Sequence, residues 1–526
     1  MNKATFRETV TRRVIDPDTR DRWITIAYMV SAITMLLHHV YVTAYYATVE
    51  DGAILLRFPW VFLAGVGFLL GRMWKDKCFW ILLALLLMKF LRIAIPTPEL
   101  VSETQRVYEL CIYSFFICYA AGRVLNTKDR KTFIAVFCGL WTLAMTVYAC
   151  FGLYPALGGR SIWNLGTEGF YIRPSEQRLW PVFHPVDAGM MTASGIAAAL
   201  IGFFMTKRKT VKILYTIAMI LICLMGIFCV SRISYLLTAM AVSAPVSMAM
   251  YELLLKWKRQ GKAFSALRIA AAFAAFAAAA VLLVVVQMKA VPVLNSLRTG
   301  VISDAAAEET LPEETVPRET VPEGTAAPET EESGIFSGWL TPKPEEILPA
   351  ETETPTQMPV EVTARDFVTD EGADGLLTGR LVIWLHVYDS FELFPEYMLI
   401  GQGVYDPMNH INTSIRAGNA LPEIYHLHST FIQTLWESGF PGFLLFTAFF
   451  LIFAWNAFLL IRDRSLPLWQ RILPIPAVLC WLADMADCTG YCNWGKPPMT
   501  ILYLFTGLTI AIARENRKNN KGAKQA

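Results

Sequence analysis

The residues with the clearest capacity for chemistry lie in one segment, which reads His-Ser-Thr-Phe-Ile-Gln-Thr-Leu-Trp-Glu-Ser-Gly-Phe-Pro-Gly from His428 to Gly442. It contains a histidine, a carboxylate at Glu437 and a Gly-Phe-Pro-Gly turn, and an apolar run follows it directly. Histidine exchanges protons near neutral pH, and polar groups inside or at the edge of a membrane usually serve a function. The segment therefore predicts a proton-transfer or ligand-binding site where a polar loop enters a membrane.

Arginines form the second group of candidate residues, because several lie near the outer ends of predicted spans or in outer loops, where cations are normally scarce. A guanidinium donates two parallel hydrogen bonds to a phosphate and stays charged. The arrangement indicates an anionic ligand in the outer leaflet, for which a lipid diphosphate is the obvious candidate. For Arg92, extension of the side chain to the membrane surface is an equal alternative. The arginines in question are Arg92, Arg173, Arg178, Arg232 and Arg380.

Motifs for several other chemistries are missing from the sequence. There is no nucleotide-binding loop, no HExxH motif, no paired-carboxylate pattern and no Cys/His metal cluster. We expect no metal and no cofactor, so the energy for a reaction must come from an activated lipid-linked donor or an ion gradient. Cys488 and Cys492 lie in a predicted outer loop and could form a disulfide, although free thiols are the default expectation.

The composition places these residues in a membrane protein. The chain has 526 residues, of which 55% are hydrophobic and 17% are charged, whereas the charged share of soluble proteins is about a quarter. We predict an all-α polytopic membrane protein with about twelve transmembrane helices and a large extracytoplasmic loop that carries amphipathic helices. The lipid bilayer is then its first partner, and nucleic acid is not expected as one. The predicted spans are 24–46, 53–71, 78–95, 108–125, 131–153, 184–205, 211–230, 231–255, 268–290, 440–461, 471–487 and 498–513.

Basic residues set the predicted orientation, because Lys and Arg concentrate in cytoplasmic loops. Both termini are predicted to be cytoplasmic, and no cleavable signal peptide is expected. This divides the chain into a basic N-terminus 1–22, a nine-helix membrane part 23–290, an outer loop 291–439, a three-helix membrane part 440–513 and a basic tail 514–526. The predicted inner segments are 1–22, 72–77, 123–131, 207–212, 256–268, 462–471 and the tail.

The outer loop 291–439 has two parts. Residues 304–372 are acidic and rich in Pro, Glu and Thr, which predicts a disordered spacer. Residues 375–439 are predicted to be helical. They carry one amphipathic helix over 376–395, a Gly-rich turn at 399–403 and a second helix from Pro422 to about Gly439. In that second helix Glu437 would lie near the same face as His428, nine residues earlier. The first helix has its apolar side chains at Leu381, Trp384, Leu385, Tyr388 and Phe391.

Four blocks of this sequence resemble the O-antigen ligase and polymerase superfamily of bacterial membrane glycosyltransferases. The first is the segment from His428 to Gly442, which resembles a His-Asn/Ser-x-aromatic-Leu-Gln signature followed by Glu-x-Gly-x-x-Gly. The others are Gly379-Arg380 with Trp384, Pro395 and Gly401-Gln-Gly403, then Ser231-Arg232, and Phe183-His-Pro-Val-Asp-Ala-Gly189. The sequence departs from the family pattern at His184, Asp187 and Ser429.

The resemblance implies transfer of a glycan from an undecaprenyl-diphosphate-linked donor, on the outer face of the bacterial cytoplasmic membrane, without nucleotide or obligatory metal. Arg232 and Arg380 would hold the diphosphate with help from Arg173, Arg178 or Arg92. His428 would bind the donor or accept the proton of the acceptor hydroxyl, with Glu437 orienting it, and direct attack would invert the anomeric centre. The acceptor stays open between a growing glycan, a terminal lipid and a protein hydroxyl.

Two readings of other classes compete with a glycosyltransferase. A polysaccharide-lipid flippase or another secondary transporter also fits twelve spans with inner termini. Such carriers often contain internal repeats, which this chain lacks, and a long outer loop with ordered helices is unusual for them. A non-catalytic sensor or assembly scaffold is the remaining possibility.

Overall fold

A computed structural model describes most of the helical bundle and part of the predicted loop 291–439. The described residues are 19, 21–27, 29–30, 69, 71–93, 118–125, 127–157, 162–163, 169–173, 178–180, 185–229, 231–256, 270–290, 384, 387–388, 391, 395, 397–401, 427, 429–486 and 497–525. The predicted spacer 304–372, His428, Arg380, Pro422, Cys488 and Cys492 lie outside them.

Helices make up most of the described chain. Residues 21–27 are helical, and a single 3-10 turn covers Met73–Lys75. The helices up to residue 290 are α1 Lys77–Ile93, α2 Ala120–Val124, α3 Thr127–Ala156, α4 Pro185–Met205, α5 Lys209–Phe228, α6 Arg232–Lys256 and α7 Ala270–Ala290. The helices after residue 290 are α8 Tyr397–Ile400, α9 Thr430–Arg462, α10 Leu468–Arg471, α11 Ile475–Ala486 and α12 Pro497–Gln525.

The prediction of a membrane protein is supported by these helices. Among the described residues, five helical stretches are long and apolar enough to cross a bilayer. They are Asp129–Ala156, Ala188–Met205, Lys209–Phe228, Ala270–Ala290 and Thr430–Arg462. The full number of twelve spans stays a prediction, because the predicted spans 24–46 and 53–71 lie mostly outside the described residues.

The expected close joint between the seventh and eighth spans is present, since α5 ends at Phe228 and α6 begins at Arg232. Tyr235 Oη donates a hydrogen bond to the Ile227 carbonyl oxygen at 3.0 Å, which ties the start of α6 to the end of α5. A Cβ atom added at Gly189 of α4 would meet the Ser234 Cα at 2.7 Å. Small residues let membrane helices approach this closely.

Three short strands are the departure from the predicted all-α fold. β1 Ile162–Trp163, β2 Gly169–Arg173 and β3 Arg178–Trp180 form an antiparallel sheet in the order β1-β2-β3. The sheet contacts the end of α3 through the buried side chain of Leu179, close to Gly152. The segment lacks the long apolar periodicity by which the sequence reveals helices, so hydropathy did not predict it.

An aromatic cluster fastens α9 to α11. Trp481 of α11 is buried, and its indole Nε1 donates to Thr506 Oγ1 of α12 at 3.3 Å. The ring centroids that surround it lie between 5.1 and 6.2 Å away. Aromatic pairs at such distances add stabilisation beyond their buried area. The five rings belong to Phe431, Phe446, Phe449, Phe450 and Phe453 of α9.

Polar contacts join several predicted inner segments at one end of the bundle. Asp76 lies at their centre. Its Oδ2 accepts from Arg123 Nε at 2.6 Å and its Oδ1 accepts from Arg514 Nη1 at 3.1 Å. Arg130 Nη1 donates to Glu515 Oε2 at 2.7 Å. The segments 72–77 and 123–131 therefore meet the C-terminal part of α12, and we call this group of contacts the polar collar.

Candidate functional site

The candidate site is built around the start of α9, where the residues before the helix are not helical. Leu427 and Ser429 both lie outside the helix, which begins at Thr430 after an extended Ser429 with φ −161° and ψ 121°. The predicted helix from Pro422 to about Gly439 is therefore wrong at these two positions. The prediction that His428 and Glu437 lie near one helical face concerns His428, which is outside the described residues.

Side chains, rather than helical bonds, hold the Leu427 backbone. Its N–H donates to Gln433 Oε1 at 3.0 Å, and its carbonyl oxygen accepts from Trp384 Nε1 at 2.8 Å. Leu427 is completely buried, and buried backbone groups require hydrogen-bond partners. The residue immediately before His428 is thus fixed at both of its polar groups.

Gln433 connects this backbone to the carboxylate of Glu437. Gln433 Nε2 donates to Glu437 Oε1 at 2.8 Å, one helical turn further along α9. Both side chains are buried, with exposed fractions of 4% for Gln433 and 2% for Glu437. The structure therefore places the predicted catalytic residue Glu437 in a hydrogen-bonded row that ends at the residue before His428.

A small apolar cluster joins the two halves of the predicted loop. Val387, Phe391, Leu427 and Trp436 are buried together, with Trp384 packed against them. The helical residues 384, 387, 388 and 391 agree with the predicted helix over 376–395. Its buried face passes through Trp384, Val387 and Phe391. The prediction that Tyr388 belongs to this apolar face is wrong, because 63% of Tyr388 is exposed.

Two glycines bring a third part of the loop against the same segment. Gly401 has φ +71° and Gly439 has φ +65°, a conformation that side chains disfavour. A Cβ atom at Gly439 would meet the Met398 carbonyl oxygen at 2.7 Å, and one at Gly401 would meet the Ser438 backbone nitrogen at 2.5 Å. The backbones of 398–401 and 437–439 therefore pack directly together. α9 breaks at Gly439, which confirms the predicted turn there.

Three buried polar atoms of the first turns of α9 are not used by the described part of the chain. Among those residues, Thr430 Oγ1, Trp436 Nε1 and Ser438 Oγ have no hydrogen-bond partner. Buried polar atoms are nearly always hydrogen-bonded in folded proteins. These three residues flank Gln433 and Glu437 in the first turns of α9.

For four of the predicted phosphate-binding arginines the structure describes the backbone but not the side chain. The register of β2 and β3 pairs Arg173 directly with Arg178. Arg232 is the first residue of α6, at the α5–α6 joint, and Arg92 lies in the last turn of α1. The structure does not describe these four side chains, so their convergence on one ligand stays a prediction.

Sequence reasoning missed the role of Gln433, although Gln433 belongs to the segment that it singled out. The available signal was the spacing of Gln433 and Glu437, since side chains four residues apart on a helix are neighbours. It also missed the hydrogen bond from Trp384, which no local spacing reveals. Within the described part of the chain, no group of three or more His, Cys, Asp or Glu residues could hold a metal ion. Metal independence nevertheless stays a prediction.

Comparison with known proteins adds no support to the family resemblance. No protein-family model matches the chain, and no curated protein matches it either. The resemblance to the O-antigen ligase and polymerase superfamily therefore remains a proposal from the residues themselves.

Proposed function

We propose that the protein transfers a glycan from an undecaprenyl-diphosphate-linked donor to an acceptor on the outer face of the bacterial cytoplasmic membrane. The observation that carries the proposal is the hydrogen bond between Trp384 and Leu427. It joins the block that contains Arg380 to the block that contains His428, over a separation of 43 residues. A phosphate-binding arginine and a proton-exchanging histidine on adjoining segments match the needs of such a transfer.

In the proposed reaction the acceptor hydroxyl oxygen attacks the anomeric carbon of the donor. The bond from that carbon to the diphosphate oxygen breaks, and undecaprenyl diphosphate leaves with the electron pair. His428 accepts the hydroxyl proton, a form of general-base catalysis worth about 100- to 10,000-fold. Arg380 and Arg232 stabilise the negative charge that grows on the leaving group. A single displacement inverts the anomeric configuration.

The strand register of Arg173 and Arg178 supports an anion near the small sheet. Like charges directly opposite each other on an antiparallel pair destabilise it. These two arginines are direct partners, and a bound diphosphate would remove the repulsion between them. We therefore assign them, with Arg92, to donor binding.

The length of α9 supports the proposed orientation. From Gly439 to Arg462 the helix extends over about 35 Å, which exceeds the thickness of about 30 Å of a bilayer's hydrocarbon core. Asp463, which follows α9 at its other end, accepts from Asn516 of α12, so in the proposed orientation this end of α9 and the C-terminal part of α12 face the cytoplasm. With the basic predicted inner segments inside, as the distribution of Lys and Arg indicates, both termini are cytoplasmic and the site faces outward.

The test is transfer in vitro from a purified undecaprenyl-diphosphate oligosaccharide, in nanodiscs and without nucleotide or divalent metal. We expect products with the wild type, and losses of at least about 100-fold in His428→Ala and Arg380→Ala. Tyr388→Ala is the matched control, since Tyr388 lies in the same helical segment but is exposed. Longer lipid-linked products identify a polymerase, and a glycan moved only to an added lipid or protein identifies a ligase or protein-glycosylating enzyme. Donor movement between leaflets without any transfer would overturn the proposal in favour of a flippase.

A further inference from the structure

We infer that Gln433 is a positioning residue for the transfer reaction, and that Glu437 serves it by fixing the orientation of its amide. This inference rests on the proposed function, because it assigns a role relative to His428. It goes beyond that function by giving Glu437 a task for which an acceptor oxygen is required.

Only one orientation of the Gln433 amide can form the hydrogen bonds to Leu427 and Glu437. Its Oε1 accepts from the Leu427 N–H and its Nε2 donates to Glu437. An inverted amide would turn its NH₂ group toward the Leu427 N–H and its oxygen toward the Glu437 carboxyl oxygen, so both bonds would be lost. Glu437, buried and able to accept, therefore selects the orientation in which Gln433 holds Leu427.

The consequence for chemistry comes from the position of Leu427. Gln433 reaches back beyond the start of α9 to bind a residue that is not helical and that directly precedes His428. Trp384 holds the other polar group of the same residue. Displacement of a reacting group by about 1 Å can cost about 100-fold in rate. The Gln433 bond thus fixes the backbone of Leu427, the residue that is covalently joined to His428.

Three variants separate positioning from charge. Gln433→Leu removes the hydrogen bonds to Leu427 and Glu437, and we expect kcat to fall about 100-fold while KM changes less than about threefold. Glu437→Ala should have a similar effect, because the amide loses its orienting acceptor. Glu437→Gln keeps an acceptor oxygen for Gln433 Nε2, so its loss should be at least about tenfold smaller than that of Glu437→Ala. Equal losses in Glu437→Gln and Glu437→Ala would overturn the role assigned to Glu437.

Gln433→Glu provides a pH readout that a packing role would not give. When ionised, this side chain has no proton to donate to Glu437, and two carboxylates repel. When protonated at lower pH, it can accept from the Leu427 N–H and donate to Glu437. The ratio of variant to wild-type kcat should therefore rise as pH falls. A ratio that does not change with pH would contradict the proposed bond pattern.

The matched control is Gln287→Leu, which removes a buried glutamine amide with 3% exposure from α7 and should leave kcat unchanged. Hydrogen exchange at the Leu427 amide supplies a readout independent of activity, and we expect it to be faster in Gln433→Leu. Wild-type kcat and unchanged exchange in Gln433→Leu would overturn the inference while leaving the proposed function intact. Absence of transfer by the wild type, with faster exchange in the variant, would instead count against the proposed function.

Discussion

Trp384 and Leu427 are joined by a 2.8 Å hydrogen bond from the indole Nε1 to the backbone carbonyl oxygen, although 43 residues separate them in the chain. Leu427 also donates its N–H to Gln433, so the two peptide groups on either side of the Leu427 Cα are each held by a side chain. The apolar cluster of Val387, Phe391 and Trp436 surrounds this contact. The candidate site is therefore a folded unit at the entrance to α9, not an isolated motif.

Replacement of Trp384 by Phe tests this contact. The variant keeps most of the ring but leaves the buried Leu427 carbonyl oxygen without its donor, which costs about 1–3 kcal/mol. We expect a lower unfolding temperature in detergent and reduced transfer. Trp455→Phe is the control, because Trp455 is 57% exposed on α9, and it should change neither quantity. Equal behaviour of the two variants would contradict the role of the Trp384 hydrogen bond.

The glycine at position 439 should not tolerate a side chain. Gly439→Ala places a Cβ at φ +65° and ψ −173°, a conformation essentially restricted to glycine that costs about 1–3 kcal/mol, and brings it against the Met398 carbonyl oxygen. We expect a larger loss of stability than this strain alone, together with loss of transfer. Gly139→Ala, in the middle of α3 with only ordinary contact to Tyr215, should be neutral or stabilising. Thermal unfolding of both variants measures the difference.

The Arg173–Arg178 pair predicts opposite effects on stability and donor binding. Like charges directly opposite each other destabilise an antiparallel strand pair, so we expect Arg173→Ala without donor to unfold at the same or a higher temperature than wild type. Its KM for the lipid-linked donor should rise because one phosphate contact is lost. A variant with lower stability and unchanged KM would remove Arg173 from the donor site.

Asp76 should give the polar collar a pH dependence. Burial raises the pKa of Asp76, but the hydrogen bonds and charges of Arg123 and Arg514 and the hydroxyl of Tyr119 outweigh it, so the pKa lies below the ordinary 3.8. A carboxylate with a lowered pKa stabilises the fold above the unfolded-state value, and this contribution is lost as pH falls through the folded-state pKa.

We therefore expect Asp76→Asn to destabilise the protein near pH 7 by a few kcal/mol, on the order found when one partner of a buried ion pair is removed. The gap in unfolding temperature between wild type and variant should stay constant down to about pH 4 and then narrow, since the ordinary pKa is 3.8. Asp463→Asn, at the half-buried residue that follows α9, is the control. A gap that does not depend on pH would contradict the assigned ionisation of Asp76.

The sequence predicted those features that depend on local pattern. Apolar runs indicated membrane helices, the Gly-Phe-Pro-Gly phrase indicated the break that the structure places at Gly439, and the short joint between α5 and α6 followed from run lengths. Each of these depends on residues close together in the chain.

The features that sequence reasoning missed depend on contacts between distant residues. The helix predicted from Pro422 is absent at Leu427 and Ser429, because Trp384 and Gln433 satisfy the Leu427 backbone instead. The local sequence around Asp76 contains no pattern that indicates an ion pair with Arg514, 438 positions away. Tyr388 was assigned to the apolar face from helical spacing, but Val387 occupies that face, and aromatic character alone did not distinguish the two.

The most direct test of the proposed glycan transfer measures undecaprenyl diphosphate released and glycan transferred, in wild-type protein and in His428→Ala. We expect one undecaprenyl diphosphate for each glycan transferred by the wild type, and we expect both quantities to fall together by at least about 100-fold in the variant. Glycan transfer that persists in His428→Ala would contradict the role of His428. Transport of intact donor with no diphosphate released would contradict the proposed chemistry.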